Sequence, residues 1–246
     1  MSNSYNTAVL ADTPLGFWEG NHTGTSPIFL TDSSGNSNGL EIHGSATLSQ
    51  PGGSSLLTSM TLASGQYAYY SPGSLLLGGD SGGTGLSVEF WINYATNRNY
   101  NAGVTQCSGN TPEPFDIYVN SNGTLYVIYS FAGGAVYVTA TLTPGIWQHI
   151  VSTWDSTEQK LHLFVNGQEA TTALVATAPL VNSGGSFRIG TRADAGTQLI
   201  GSIGPVAVYA HQLSSARVLA HYLAGSKGRT KRGGGFAAWW AVGGDE

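Results

Sequence analysis

Short segments in which apolar and polar residues alternate constrain the fold of this chain more than any other feature. In residues 86–93 the apolar positions are Leu86, Val88, Phe90 and Ile92, and the positions between them are Ser87, Glu89, Trp91 and Asn93. Successive side chains of a β-strand point to opposite faces, so an alternation of period two predicts a strand. We expect this strand to be half-buried, with the Leu86 face in the core.

The same pattern predicts several further strands along the chain. They cover residues 115–120, 124–131, 135–142, 147–154, 160–166, 186–191 and 203–209. Turn-forming residues separate them, including Asn122-Gly123, Gly133-Gly134 and Asn166-Gly167. Strands at this spacing, with no helical pattern between them, predict antiparallel sheets packed face to face and exclude a parallel α/β fold.

One helix is predicted near residues 214–223, where Ser214 and Ser215 can cap its start and Gly225 can end it. After Gly225 the sequence becomes glycine-rich and basic, and then aromatic. We therefore predict one domain over residues 1–225 and a tail over residues 226–246.

Composition supports an all-β chain and limits its partners. Charged residues make up 9% of the 246 residues, against roughly 25% in a typical soluble protein, and there are 35 glycines. Residues 1–225 hold five basic and twelve acidic residues, a net charge of −7. An acidic body of this kind excludes nucleic-acid binding through the main domain.

Hydropathy along the chain predicts no membrane insertion, because no run of about 18 apolar residues occurs. No apolar stretch followed by a small-residue cleavage site is found near Met1, so classical secretion is not predicted. A single cysteine, Cys107, precludes an internal disulfide.

Several stretches resemble a known family. They are residues 87–92, 147–155, 161–167 and 187–190, bracketed by residues 8–14 and 32–36 early and by residues 201–203, 206–209, 213–214 and 221–222 late. In order and spacing they resemble the laminin-G-like (concanavalin A-like lectin/glucanase) jelly-roll domains of phage virion and tail proteins and of extracellular bacterial proteins. The resemblance covers roughly residues 5–225 and implies an antiparallel β-sandwich jelly roll.

Catalysis is not expected. The resemblance includes glycan hydrolases, whose carboxylates sit together on one strand as Glu-x-Asp-x-x-Glu, whereas Glu89 is alone on its strand. Glu113 and Asp116 form the only acidic pair nearby, and the prolines around Glu113 place it in a loop. No serine or cysteine nucleophile motif appears.

We expect no cofactor, with calcium binding at Asp32 as the open alternative. Family members often carry an acidic residue near a calcium ion where this chain has Gly204. Since Gly204 offers no carboxylate, and an Asx turn explains Asp32 without a metal, we expect metal dependence to be weak.

Histidines are candidate metal ligands, and tyrosines are candidate glycan contacts. His149 and His162 could face each other across a hairpin, but structural roles are expected for both. Nine tyrosines form a pool for glycan contact, because a phenol ring can stack on a sugar and its hydroxyl can bind sugar hydroxyls: Tyr67, Tyr69, Tyr70, Tyr94, Tyr100, Tyr118, Tyr126, Tyr129 and Tyr137.

The sequence supports two alternative functions. The first is a virion surface or assembly protein, capsid-decorating or tail-associated, whose tail docks on a sister subunit or a capsid or tail protein through Phe236, Trp239 and Trp240 with Lys231 and Arg232. This predicts a homo-oligomer or a particle-bound protein on the virion surface, with host glycan contact as an addition. The alternative is a carbohydrate-binding or adhesion module of an extracellular or cell-surface bacterial protein.

Overall fold

The computed structural model describes residues 4–23, 28–70, 85–107, 114–175, 180–181, 185–192 and 197–227. In these segments the chain forms strands β1 (Gly16–Thr23), β2 (Phe29–Asp32), β3 (Leu40–His43), β4 (Thr47–Pro51), β5 (Thr58–Leu62), β6 (Tyr67–Tyr69), β7 (Gly85–Tyr94), β8 (Asn101–Cys107), β9 (Phe115–Val119), β10 (Thr124–Phe131), β11 (Gly134–Thr141), β12 (Gln148–Asp155), β13 (Lys160–Val165), β14 (Gln168–Leu174), β15 (Ser186–Ile189) and β16 (Gly201–Tyr209). Helices α1 (Ser4–Leu10) and α2 (Ser215–Ser226) complete the described elements. The predicted all-β class is confirmed, and all eight predicted strands are present with ends shifted by at most two residues.

Hydrogen bonds join the strands in one continuous order. Its order is β11-β10-β9-β8-β15-β6-β3-β2-β1-β16-β7-β12-β13-β14, with β5 pairing β16 and β4 pairing β5. All of these pairings are antiparallel. We call β11 through β3 the first sheet and β1 through β14 the second sheet, with β2 linking them.

The two sheets pack face to face as a β-sandwich. The Phe131 ring of the first sheet lies 5.3 Å from the Trp154 ring of the second, and the Tyr129 and Ser152 hydroxyls are 2.9 Å apart. The apolar positions predicted for β7, with Phe90 among them, lie in this core. Alternation in the sequence therefore identified the core face correctly.

The outer face of the second sheet is covered as well. Tyr5 and Val9 of α1 and Val218 of α2 form a second apolar cluster with Trp91 and neighbouring residues. Strand β7 is consequently buried on both faces, and the expectation that it is half-buried is wrong. The reason is the helix pair, whose apolar side chains keep water from the Glu89 and Trp91 face.

The predicted helix is present as α2, with the Ser214 side chain accepting a hydrogen bond from the Arg217 amide at its start. Gly225 lies inside the helix, not at its end. A Cβ at Gly225 would stand 2.7 Å from Cζ2 of Trp91 and 2.9 Å from Cδ2 of Tyr5, so glycine permits close packing there. Helix α1 was not predicted, and neither helix of the described segments is long and apolar enough to span a membrane.

Candidate functional site

A row of four tyrosines crosses the outer face of the first sheet. The ring centroids of Tyr100 and Tyr118 are 4.9 Å apart, those of Tyr118 and Tyr126 are 5.4 Å apart, and those of Tyr126 and Tyr137 are 6.1 Å apart. Tyr118 lies on β9, Tyr126 on β10 and Tyr137 on β11, while Tyr100 directly precedes β8. We call these four residues the tyrosine row.

Strand register explains why the rings meet. Tyr118 pairs directly with Tyr126 across the hairpin that turns at Asn122-Gly123. Their neighbours Ile117 and Val127 point the other way, into the core, because side chains alternate along a strand. Aromatic residues directly opposite on neighbouring strands are within contact distance and stabilise the pairing.

The tyrosine row reaches solvent at both ends. Tyr137 is 62% exposed and Tyr100 is 40% exposed, while Tyr118 and Tyr126 are half-buried. Burial, together with the charge of Asp116, raises the pKa of Tyr118 to about 12, so its phenol stays protonated in the physiological range and can donate a hydrogen bond.

An ion pair borders the tyrosine row. Nε of Arg192 lies 2.9 Å from Oδ2 of Asp116, and the guanidinium carbon stands 5.9 Å from the Tyr118 ring centroid. The arginine therefore contributes a positive charge beside the ring while the Asp116 carboxylate neutralises it. A cation within about 6 Å of a ring centroid attracts the face of that ring.

A second aromatic group continues along the same outer face. The rings of His43 on β3 and Tyr67 on β6 stack at 4.5 Å, and Tyr69 follows Tyr67 at 5.9 Å. Arg188 on β15 pairs with Tyr69 in the sheet register, and its guanidinium carbon lies 5.8 Å from the Tyr67 ring centroid.

Three other tyrosines of the predicted pool do not lie on this outer face. Tyr94 and Tyr129 are fully buried in the core between the sheets, so neither can touch a glycan. Tyr70 is half-buried against that core, and its hydroxyl lies 3.2 Å from Oδ1 of Asn38. Six of the nine tyrosines thus remain on or beside the outer face of the first sheet.

Glu89 is the centre of a buried polar cluster on the opposite side of the molecule. Its Oε1 accepts hydrogen bonds from the Tyr5 hydroxyl at 2.8 Å and from Nε2 of His149 at 2.9 Å. Its Oε2 accepts from the Tyr209 hydroxyl at 2.8 Å and from Nδ1 of His221 at 2.9 Å. We call these five residues the Glu89 cluster. Sequence reasoning found Glu89 alone because its partners come from α1, β12, β16 and α2.

Hydrogen-bond geometry assigns the charges in the Glu89 cluster. Nε2 of His221 lies 2.9 Å from Oδ2 of Asp12 and 3.1 Å from the Ala8 carbonyl oxygen, so both ring nitrogens of His221 face acceptors and carry protons. The Arg217 guanidinium, at 3.4 Å from Nε2, is the more distant neighbour. His221 is thus an imidazolium between two carboxylates.

The pKa directions agree with this assignment. Burial alone raises the pKa of Glu89, but the charge of His221 and the hydrogen bonds from His149 and His221 outweigh it and hold that pKa well below its usual value. Burial lowers the pKa of His221, yet the charge and hydrogen bond of Glu89 and the charge of Asp12 raise it overall. Burial and the Glu89 charge raise the pKa values of Tyr5 and Tyr209 well above 10.

The Glu89 cluster is closed to solvent within the described part of the molecule. Glu89, His149 and His221 each have zero exposure beneath α1 and α2. A carboxylate that accepts four hydrogen bonds and is sealed from water holds the helices on the sheet. The structural role expected for His149 fits this arrangement.

His162 does not face His149. It pairs with Thr153 in the β12–β13 register, and its ring lies between the carboxylates of Glu169 at 2.7 Å and Glu158 at 3.3 Å. These residues line a polar cleft of about 310 Å³ beside the start of α2. Among the described residues, no group of three or more histidines, cysteines or acids is arranged to hold a metal ion.

Both carboxylate oxygens of Asp32 accept hydrogen bonds from other residues of the protein. Its Oδ1 accepts hydrogen bonds from the amides of Phe17 and Ser34, each at 2.9 Å. Its Oδ2 accepts from the Ser34 hydroxyl at 2.9 Å and the Asn38 amide at 2.8 Å. The expected Asx turn accounts for the bond from the Ser34 amide, and the amides of Phe17 and Asn38 come from residues farther away in the sequence. Calcium binding at Asp32 stays an alternative that a metal titration tests.

The tail residues predicted to dock lie outside the described residues. These are Phe236, Trp239, Trp240, Lys231 and Arg232. Glu113 and the side chain of Cys107 also lie outside them. The division at residue 225 stays a prediction, with α2 running to Ser226.

Solved structures similar to this chain include toxin binding domains. The receptor-binding domain of botulinum neurotoxin mosaic serotype C/D aligns with a TM-score of 0.65 at 12% identity, over 87% of this chain and 51% of that one. The serotype D binding domain gives 0.65 at 14% identity over 88% and 52%. The binding domain of botulinum neurotoxin DC in complex with SialylT gives 0.62 at 12% over 87% and 52%.

These likenesses show the fold, and the chain spans about half of each toxin domain. No curated protein sequence matches this chain significantly. The laminin-G family model described as the concanavalin A-like lectin/glucanases superfamily matches residues 63–219, more than half of the chain. The sandwich and this match agree with the resemblance drawn from the sequence. The chain belongs to the concanavalin A-like lectin/glucanase superfamily.

Proposed function

We propose that this chain is a non-catalytic glycan-binding module that holds sugar rings against the tyrosine row. The observation that carries the proposal is four tyrosines in contact across adjacent strands, with Tyr100 and Tyr137 well exposed. Aromatic rings with polar hydroxyls suit a ligand that has apolar faces and hydroxyl edges. The lectin character of the superfamily supports the same class of ligand.

A glycan array followed by titration calorimetry tests the proposal. We expect the wild type to bind at least one glycan, Tyr126→Ala to weaken that binding at least tenfold, and Tyr126→Phe to weaken it less because the ring is kept. Leu223→Ala is the matched control, since Leu223 is an exposed apolar residue, 52% accessible, on α2. A glycan affinity unchanged in Tyr126→Ala, or an array without binding, would contradict the proposal.

Absence of hydrolysis is part of the proposal, although the superfamily includes glucanases. Glu89, the one acidic residue on β7, is buried and accepts four hydrogen bonds. We expect purified protein to release no reducing ends from β-glucan. Steady release that is abolished by Glu89→Gln, in a variant that still folds, would overturn this part.

A virion or assembly role is proposed for the tail, on the sequence of residues 226–246 alone. Its glycines, four basic residues and aromatic anchors suit docking on a sister subunit or a capsid or tail protein, and would place the glycan-binding module on a virion surface. Deleting residues 226–246 should abolish particle incorporation or lower the oligomer mass without changing the melting temperature. A destabilised monomer that still assembles would refute tail docking, and the protein would then fit an extracellular adhesion module better.

A further inference from the structure

Arg188 occupies the middle of the outer face of the first sheet. It lies on β15, where it pairs with Tyr69 of β6 on one side and with Thr105 of β8 on the other. Its neighbours Phe187 and Ile189 point into the core, so the Arg188 side chain points to the outer face.

The Arg188 guanidinium stands beside aromatic rings and has no anionic partner in the segments that the structure describes. Its carbon lies 5.8 Å from the ring centroid of Tyr67, which is itself stacked on His43. Nε of Arg188 is buried and has no hydrogen-bond partner within the described part of the chain. No carboxylate of that part forms an ion pair with it, whereas Arg192 is paired with Asp116.

A half-buried guanidinium that has no counter-ion among the described residues is a strong binding site for an oxyanion, because its N–H groups donate hydrogen bonds to the anion. Removing its water costs free energy, which a carboxylate or sulfate returns through charge-assisted and often bidentate hydrogen bonds. Two acidic residues lie in register with Arg188 across this face, Glu41 on β3 and Asp116 on β9, and one strand separates each of them from it. Asp116 is paired with Arg192. Among the described residues Arg188 therefore has no counter-ion, and its guanidinium can bind the anion of a ligand.

Arg188 also lies within reach of the tyrosine row. Strands β8 and β9 lead from β15 to Tyr118, and strands two steps apart are separated by roughly 10 Å at about 4.8 Å each. A single oligosaccharide can span that distance.

We propose that the outer face of the first sheet selects anionic glycans, with Arg188 binding the carboxylate or sulfate of a sugar whose ring lies against Tyr67 and Tyr69. This inference rests on the proposed glycan-binding function and deepens it by naming the ligand class. The domain has a negative net charge, so its composition alone does not predict a preference for anionic ligands. The proposed preference depends on the Arg188 side chain.

Calorimetry with three sugars on one scaffold tests the inference. Lactose is the neutral probe, 3′-sialyllactose carries a carboxylate and 3′-sulfolactose carries a sulfate. We expect one or both anionic sugars to bind at least about tenfold more tightly than lactose, on the scale of a charge-assisted hydrogen bond. The preference should shrink as sodium chloride is raised, and which anionic sugar binds distinguishes carboxylate from sulfate.

Arg188→Gln should remove the anionic preference while leaving the melting temperature and the affinity for lactose within about twofold. Lys160→Gln is the matched control, because it removes one positive charge on β13, in the second sheet, and should keep the preference. Equal binding of all three sugars, or a preference that survives Arg188→Gln, overturns the inference but leaves glycan binding intact. Binding of none of them, in a protein whose array also lacks hits, refutes both.

Discussion

At the scale of single residues, the carboxylate of Glu89 is removed from water and accepts a hydrogen bond from each of four side chains. A buried charge is tolerated when it is paired and its lone pairs are satisfied. His221 supplies the opposite charge, and Asp12 and Arg217 extend the alternation of charges toward the surface. The Glu89 cluster thus fixes α1 and α2 to the second sheet.

Replacing Glu89 tests this account. Glu89→Gln leaves the His221 imidazolium without its buried counter-charge, and breaking a buried pair costs about 3–5 kcal/mol. We expect the free energy of unfolding in urea to fall by that amount. Glu158→Gln is the control, because Glu158 is 40% exposed and should change stability by less than about 0.5 kcal/mol.

The pH dependence of stability follows from the same residues. The raised pKa of His221 stabilises the fold fully below its ordinary value of 6.5, and this contribution is lost as pH rises through the raised pKa. The lowered pKa of Glu89 stabilises the fold fully above 4.5, and this is lost as pH falls through the lowered pKa. Their joint contribution is therefore largest between pH 4.5 and 6.5.

Melting temperatures of the wild type and His221→Gln between pH 4 and pH 9 measure that contribution. The difference between the two proteins should be largest near pH 5–6 and should shrink toward pH 9. A difference independent of pH would show that His221 is not charged in the folded protein.

At the scale of elements, Gly225 shows how α2 fits its neighbours. Alanine favours helix by about 1 kcal/mol over glycine, yet a Cβ at Gly225 would stand 2.7 Å from the Trp91 ring. We expect Gly225→Ala to destabilise the protein by about 1–3 kcal/mol because overpacking outweighs propensity. Gly133→Ala, where a Cβ would meet nothing within 4 Å, should be neutral or stabilising in the same thermal melts.

Hairpins made part of the site predictable. A turn at Asn122-Gly123 places Tyr118 opposite Tyr126, so register counting could have found the centre of the tyrosine row. Helix α1 was harder to find, because it has seven residues and its main signal is the i, i+4 spacing of the buried residues Tyr5 and Val9. Strands β2 to β6 have only three to five residues each, which leaves little length for an alternating pattern.

At the scale of the whole molecule, the two sheets differ in what covers their outer faces. Helices α1 and α2 seal the outer face of the second sheet, whereas the outer face of the first carries half-buried and exposed aromatic residues and two arginines. Alternation predicted the sandwich because it records which face of a strand is apolar. It does not record whether a second layer covers the other face. The sequence therefore could not show that Glu89 is buried beneath helices while the tyrosine row reaches solvent.

Chemical-shift mapping of the full chain with 3′-sialyllactose measures most directly where a glycan binds. We predict saturable shifts of backbone amides in β6, β9, β10, β11 and β15, centred on Tyr67, Tyr118, Tyr126 and Arg188, and none in α2. Shifts confined to the His162 cleft or to loops away from the first sheet would contradict this prediction, as would a glycan found on the array whose binding leaves those five strands unperturbed.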